Sequence, residues 1–159
     1  MMKLLSMTIA AIVLEVCYAH LCMISPPQRG AMGNLNKAGS GDCLLTAPRC
    51  GNRPRGMPVM GLQRGQNFTV SIQKNLDHYV KDTPGSFTIS IGSERGGTKL
   101  DVLATIPDGG EPSLTIYSVN VTIPRDLEMR EYIIHSAYIT NNPQAPPEFF
   151  QCSDVMIHA

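Results

Sequence analysis

The chain has no tryptophan and few other aromatic residues, and only 16% of it is charged, with Lys and Arg balanced by Asp and Glu. No basic patch or run of like charge marks a nucleic-acid or anionic-membrane surface. Beyond residue 19, no apolar stretch reaches the roughly 20 residues that span a bilayer. The closing stretch Ser153-Asp154-Val155-Met156-Ile157-His158-Ala159 lacks the hydrophobic tail of a lipid-anchor signal. No segment shows a convincing helical stripe.

The first residues read as a leader. Met1-Met2-Lys3 is a short basic start, and Leu4 to Leu14 is apolar apart from Ser6 and Thr8. Cys17-Tyr18-Ala19 then places small residues where a signal peptidase reads them. The pattern predicts a signal peptide over 1–19, cleavage before His20, and one secreted, extracellular domain over 20–159. The cysteines fit that compartment, since Cys22, Cys43, Cys50 and Cys152 remain after cleavage. Four cysteines allow three pairings, and sequence alone does not choose. The short loop from Cys43 to Cys50 suits a local Cys43–Cys50 bridge, which leaves Cys22–Cys152 to join the first segment to the last. Two sequons, Asn67-Phe68-Thr69 and Asn120-Val121-Thr122, make Asn67 and Asn120 candidate glycosylation sites.

Gly30 to Gly65 is rich in Gly, Pro, Asn and Arg and has little periodicity, so it reads as a long irregular loop. From Gln66 onward the period is two. Phe68, Val70 and Ile72 form one alternating run, Phe87, Ile89 and Ile91 another, and Leu100, Val102, Ala104 and Ile106 a third. Leu114 and Ile116 are out of phase with Val119, Val121 and Ile123, as a bulge near Ser118 would require. Tyr132–Thr140 and Phe149–Ile157 complete the series, and a strand around Leu21–Ser25 opens it. Turn signals such as Thr83-Pro84-Gly85, Gly96-Gly97 and Asn141-Asn142-Pro143 separate them. The expectation is an all-β fold, an antiparallel immunoglobulin or fibronectin III-like sandwich of about seven strands. Asn67 and Asn120 both fall on the outward parity of their strands.

Cleavage after Ala19 would make His20 the first residue, with its α-amine and ring Nδ1 able to chelate one metal ion. Such nitrogen donors suit copper in a planar or tetragonal site. Three other histidines exist, His78, His135 and His158. His78 lies in a polar connection, where a solvated loop residue is the plain alternative. His135 lies in a strand, and His158 is one residue from the end. If Cys22 and Cys152 were opposed on antiparallel strands, His20 and Asp154, each two residues from its cysteine, would be opposed as well. The plain alternative for Asp154 is an ordinary strand-end carboxylate.

An N-terminal His20 after cleavage, Ser25-Pro26-Pro27-Gln28-Arg29-Gly30, Pro48-Arg49-Cys50-Gly51 and Phe149-Phe150-Gln151-Cys152-Ser153-Asp154-Val155 together resemble secreted copper proteins related to lytic polysaccharide monooxygenases. The resemblance is nearest to copper acquisition factors, the branch with an aspartate copper ligand. It implies one copper per chain held by the amine and ring of His20, by His78 and by Asp154, with Gln28 and Arg29 near the site. It also implies copper capture, storage or delivery, with a copper transporter or cell-surface protein as partner. A monooxygenase attacking a glycan such as chitin is the alternative. The absence of tryptophan, and a carboxylate on the metal, argue against it. The remaining reading is a metal-free sandwich ectodomain with an interaction role.

Overall fold

The computed structural model describes residues 20–94 and 99–159, so the expected leader and the Gly96-Gly97 turn lie outside the described residues. Eight strands form: β1 (His20–Ser25), β2 (Met60–Gln63), β3 (Asn67–Leu76), β4 (Ser86–Gly92), β5 (Leu100–Pro107), β6 (Thr115–Thr122), β7 (Glu131–Ile139) and β8 (Glu148–His158). They build a sandwich of two sheets, one ordered β1-β3-β6 and the other β2-β8-β7-β4-β5. Among the described residues no helix is long and apolar enough to cross a membrane.

Alternation sets the layers. Leu21 and Met23, Val70 and Ile72, Phe87 and Ile89, Ile134 and Tyr138, and Phe149 and Val155 meet in one buried core between the sheets. Successive strand residues point to opposite faces. On β8, therefore, Phe149, Gln151, Val155 and Ile157 face the core, while Phe150, Cys152 and Asp154 face away from it. That outer face is covered by the long connection after β1, and a second buried cluster of Cys50, Ile133 and Cys152 lies under it.

This layering re-pairs the cysteines. The expected Cys43–Cys50 and Cys22–Cys152 bridges are replaced by Cys22–Cys43 and Cys50–Cys152, with Cα–Cα distances of 4.8 and 5.1 Å. β1 packs on the core side of β8, where Gln151 Nε2 donates to the Leu21 carbonyl. Cys152 points to the other side and cannot reach Cys22. Between the two bridges the connection crosses the margin of β8, where Phe150 N–H donates to the Leu45 carbonyl. It then makes the helical turn Pro48–Gly51, which lays Cys50 over Cys152.

Three strand details also differ from expectation. β2 forms inside the stretch read as irregular and runs parallel to β8, with Met60 opposite Val155, so the larger sheet is not wholly antiparallel. The β3–β6 ladder is continuous from Asn67–Thr122 to Lys74–Thr115, so there is no bulge near Ser118 and Ile116 points outward. The irregularity falls instead in the β4–β5 ladder, between the Ile89–Ala104 and Ser90–Val102 pairs. It turns Val102 to solvent, 62% exposed, and lets Leu103 pack against the core. β5 is an edge strand, where bulges are tolerated best.

Candidate metal centre

His20 and His78 lie at the same end of the sandwich. His20 begins β1 and is opposite Leu76, the last residue of β3. The ladder skips Asn75, because Leu21 is already paired with Lys74. This bulge is locked by its own side chain: Asn75 Oδ1 accepts from Ser40 N–H, and Nδ2 donates to the Lys37 carbonyl and to Gln73 Oε1. A bulge bends its strand and re-aims the residues beyond it. Here those residues are Asp77 and His78.

The His78 carbonyl accepts from Asn142 Nδ2 at 3.2 Å, and its backbone lies toward the Tyr138 hydroxyl. Asp77, one residue earlier, accepts from Lys74 Nζ at 2.8 Å and from Tyr79 N–H at 2.9 Å. Lys74 is fully buried and donates also to Asp108 Oδ1 at 2.7 Å, while Tyr138 donates to Asp108 Oδ2. Burial first, and then the Asp108 carboxylate, push the Tyr138 hydroxyl far above its usual range, so it stays a neutral donor. Two carboxylates against one ammonium leave this network with one negative charge, which favours a cation close by.

The His78 ring stacks on Phe149, with centroids 6.5 Å apart and planes at 17°. The ring is buried, and Nε2 has no hydrogen-bond partner among the described residues. Buried polar atoms are nearly always satisfied, so this nitrogen is free to take a ligand, whereas the equally unpartnered ring of His135 lies on the opposite face of its sheet beside Phe150. His78 lies two residues past Leu76, the ladder partner of His20. The two imidazoles suit copper, and the amine of His20 would join them if the chain began at that residue.

The other expected site residues lie elsewhere. Asp154 is on the outer face of β8, away from Phe149 and His78. Its Oδ2 accepts from Arg29 Nε at 2.8 Å and Gly56 N–H at 3.0 Å, and its Oδ1 accepts from Arg29 Nη2 at 2.6 Å. Among the described residues no three His, Cys, Asp or Glu side chains group closely enough to hold a metal ion. The opposition of His20 and Asp154 depended on a Cys22–Cys152 bridge, and that bridge does not form. Arg29 also grips Glu94 through two hydrogen bonds. Gln28 takes the Met23 N–H and donates to the Ala31 and Asp42 carbonyls. Both residues brace the covering connection. Gly30, at φ +77°, lets the Arg53 guanidinium reach the Arg29 carbonyl, a space that a Cβ would fill.

His135 is buried beside Phe150 and opposite Cys152 on the outer face of its sheet. Burial holds its pKa down at about 4, and the Arg49 backbone opposes that shift only in part. His158 lies against Gly61 at the far end of β8. The sequence reading missed Phe149 as a neighbour of His78 and missed the whole Lys74, Asp108 and Tyr138 network. Alternation placed Tyr138 and Phe149 in the core, but their contact with His78 depends on a loop that periodicity does not describe.

No protein-family model matches the chain, and no curated protein matches it in sequence. Solved structures do match in fold. A lytic polysaccharide monooxygenase AA15 from Thermobia domestica, in the Cu(I) state, aligns over 87% of this chain and 98% of its own at a TM-score of 0.55 and 16% identity. A chitin binding domain from Burkholderia pseudomallei aligns over 88% and 100%, at 0.53 and 12% identity. A Jonesia denitrificans lytic polysaccharide monooxygenase aligns over 87% and 100%, at 0.51 and 13% identity. The chain therefore shares the immunoglobulin-like sandwich fold of these structures.

Proposed function

We propose that the chain is a secreted protein that binds one copper(II) ion through the amine and ring of His20 and the imidazole of His78. We further propose that it captures, stores or delivers copper rather than oxidising a polysaccharide. The carrying observation is the buried Nε2 of His78, without a partner among the described residues, beside the strand end that begins at His20. The negative network beneath His78 supports a cation there, and the fold shared with copper monooxygenases makes copper the natural candidate. The two disulfides suit an oxidising compartment. Copper would arrive from, or pass to, a transporter or cell-surface protein. Asp154 drops out of the proposed ligand set because Arg29 and Gly56 occupy its oxygens.

A polysaccharide monooxygenase is the second reading, favoured by one observation. With Asp154 engaged by Arg29 and Gly56, no carboxylate is assigned to the metal, which would leave positions on it open, as catalytic sites require. Against it stands the surface around His78. The connections 77–85, 108–114 and 140–147 carry a single aromatic, Tyr79, which is half-buried against Gly110. That is little for stacking a sugar chain.

The test is a Cu(II) titration followed by electron paramagnetic resonance, on protein with His20 as its first residue and on protein with two residues left ahead of it. The native terminus should bind one copper with a tetragonal, nitrogen-rich signal. The extended form, and His78→Ala, should not. Equal binding by both termini would overturn the reading. A peroxide-driven assay on chitin separates carrier from enzyme.

A further inference from the structure

The two sequons meet in the structure, and nothing in the copper reading uses them. Asn67 is the ladder partner of Thr122, and Thr69 is the partner of Asn120. Each sequon threonine therefore sits opposite the other sequon's asparagine. The Thr122 hydroxyl donates to Asn67 Oδ1 at 2.9 Å, and the Thr69 hydroxyl donates to Asn120 Oδ1 at 2.6 Å. All four side chains are exposed on the outer face of the β1-β3-β6 sheet. Neither asparagine Nδ2 makes a hydrogen bond among the described residues. Each hydroxyl thus fixes an amide by its oxygen and leaves the nitrogen pointing to solvent. Diagonal neighbours on antiparallel strands lie about 7–8 Å apart, so two sugars carried here would stand side by side.

We propose that Asn67 and Asn120 form one paired N-glycan site, both members occupied, that covers the outer face of the smaller sheet and shields its open β6 edge. In each transfer, Asn Nδ2 forms a bond to the anomeric carbon of an oligosaccharide carried on a lipid diphosphate. The bond from that carbon to the diphosphate oxygen breaks, the diphosphate leaves with the electron pair, and one amide proton is released. The hydroxyl-to-Oδ1 bonds survive, because substitution falls on nitrogen alone. Transfer precedes pairing of β3 with β6, since both acceptors are later held in the ladder.

The placement has two consequences. Asn67 begins the ten-residue β3 whose other end leads to His78, a separation of about 30 Å at strand rise. The glycans leave the metal end clear. Among the described residues β6 is also an edge strand, with no ladder partner beyond β3, and an open edge invites pairing with another chain. A glycan on Asn120 stands on that strand.

The experiment is secretion of the full chain, with its leader, from insect or mammalian cells. Intact mass is measured before and after peptide N-glycosidase. The expected result is two glycans on the native chain and one each on N67Q and N120Q, with Thr69→Ser keeping both. One glycan or none on the native chain would overturn the paired site. Sedimentation of the single variants tests the shielding. N120Q should self-associate as concentration rises while N67Q stays monomeric, and a monomeric N120Q would overturn that role.

Discussion

Arg29 and Asp154 hold each other on the side of β8 that faces away from His78, through Nε to Oδ2 at 2.8 Å and Nη2 to Oδ1 at 2.6 Å. Burial opposes the guanidinium charge, but hydrogen bonds to Asp154 and Glu94 outweigh it and keep Arg29 protonated. The arrangement anchors the covering connection to the sheet beneath it. Removing one partner of a buried pair strands the other, at about 3–5 kcal/mol. Asp154→Asn should therefore lower thermal stability sharply. It should leave Cu(II) affinity of the folded protein nearly unchanged. Isothermal titration and a melting curve on the same sample check this. Unchanged melting with copper binding lost would return Asp154 to the ligand set.

On the proposed reading, Tyr138 would act on copper only through His78. Its oxygen lies toward the His78 backbone while its hydroxyl donates to Asp108, and its ring stacks on Phe87 at 4.3 Å. Tyr138→Phe keeps the ring and removes both polar contacts. Outer partners of metal ligands typically contribute about 10–100-fold in affinity. Loss in that range is expected, with altered copper hyperfine splitting in the resonance spectrum. An unchanged spectrum would reduce Tyr138 to a packing residue.

His135 sets the acid limit of the metal-free protein. Its folded pKa, near 4, lies below the ordinary 6.5 because burial penalises the charged ring. Above pH 6.5 neither state is protonated, and His135 costs nothing. Between 6.5 and 4 the unfolded chain takes a proton that the folded one refuses, so stability falls as pH falls, and below 4 the loss levels off. The full effect is on the order of 3 kcal/mol. Melting temperature plotted against pH should bend across this window in the native protein, and His135→Leu should flatten that bend. An identical profile in the variant would show that other groups set the acid limit.

Period-two alternation made most of the sandwich legible, because residues such as Phe87, Ile89 and Phe149 must face one core. It failed where packing is not periodic. β2 is four residues of Met60-Gly61-Leu62-Gln63, too short to alternate visibly, and it forms only because the margin of β8 offers it hydrogen-bond partners. The out-of-phase Ile116 signalled a bulge, yet an outward isoleucine on an edge strand proved the simpler arrangement. His20 and His78 were both legible as ligand candidates. The disulfide error carried Asp154 to the wrong face. Spacing in the chain gave no hint that the 43–50 connection passes from one layer of the sandwich to another.

The strand order sets when this protein can finish folding. Among the described strands β8 comes last in the chain, yet it lies between β2 and β7 and supplies Phe149 to the His78 ring and Cys152 to the second bridge. Pairings this distant along the chain are slow to close. Until β8 arrives, Cys50 has no native partner, β2 has no strand to join, and the apolar face of β7 stands open. A nascent chain therefore holds Cys50 as a free thiol, and part of its core uncovered, until β8 pairs. Copper offered during that stage would meet a histidine pair not yet backed by Phe149.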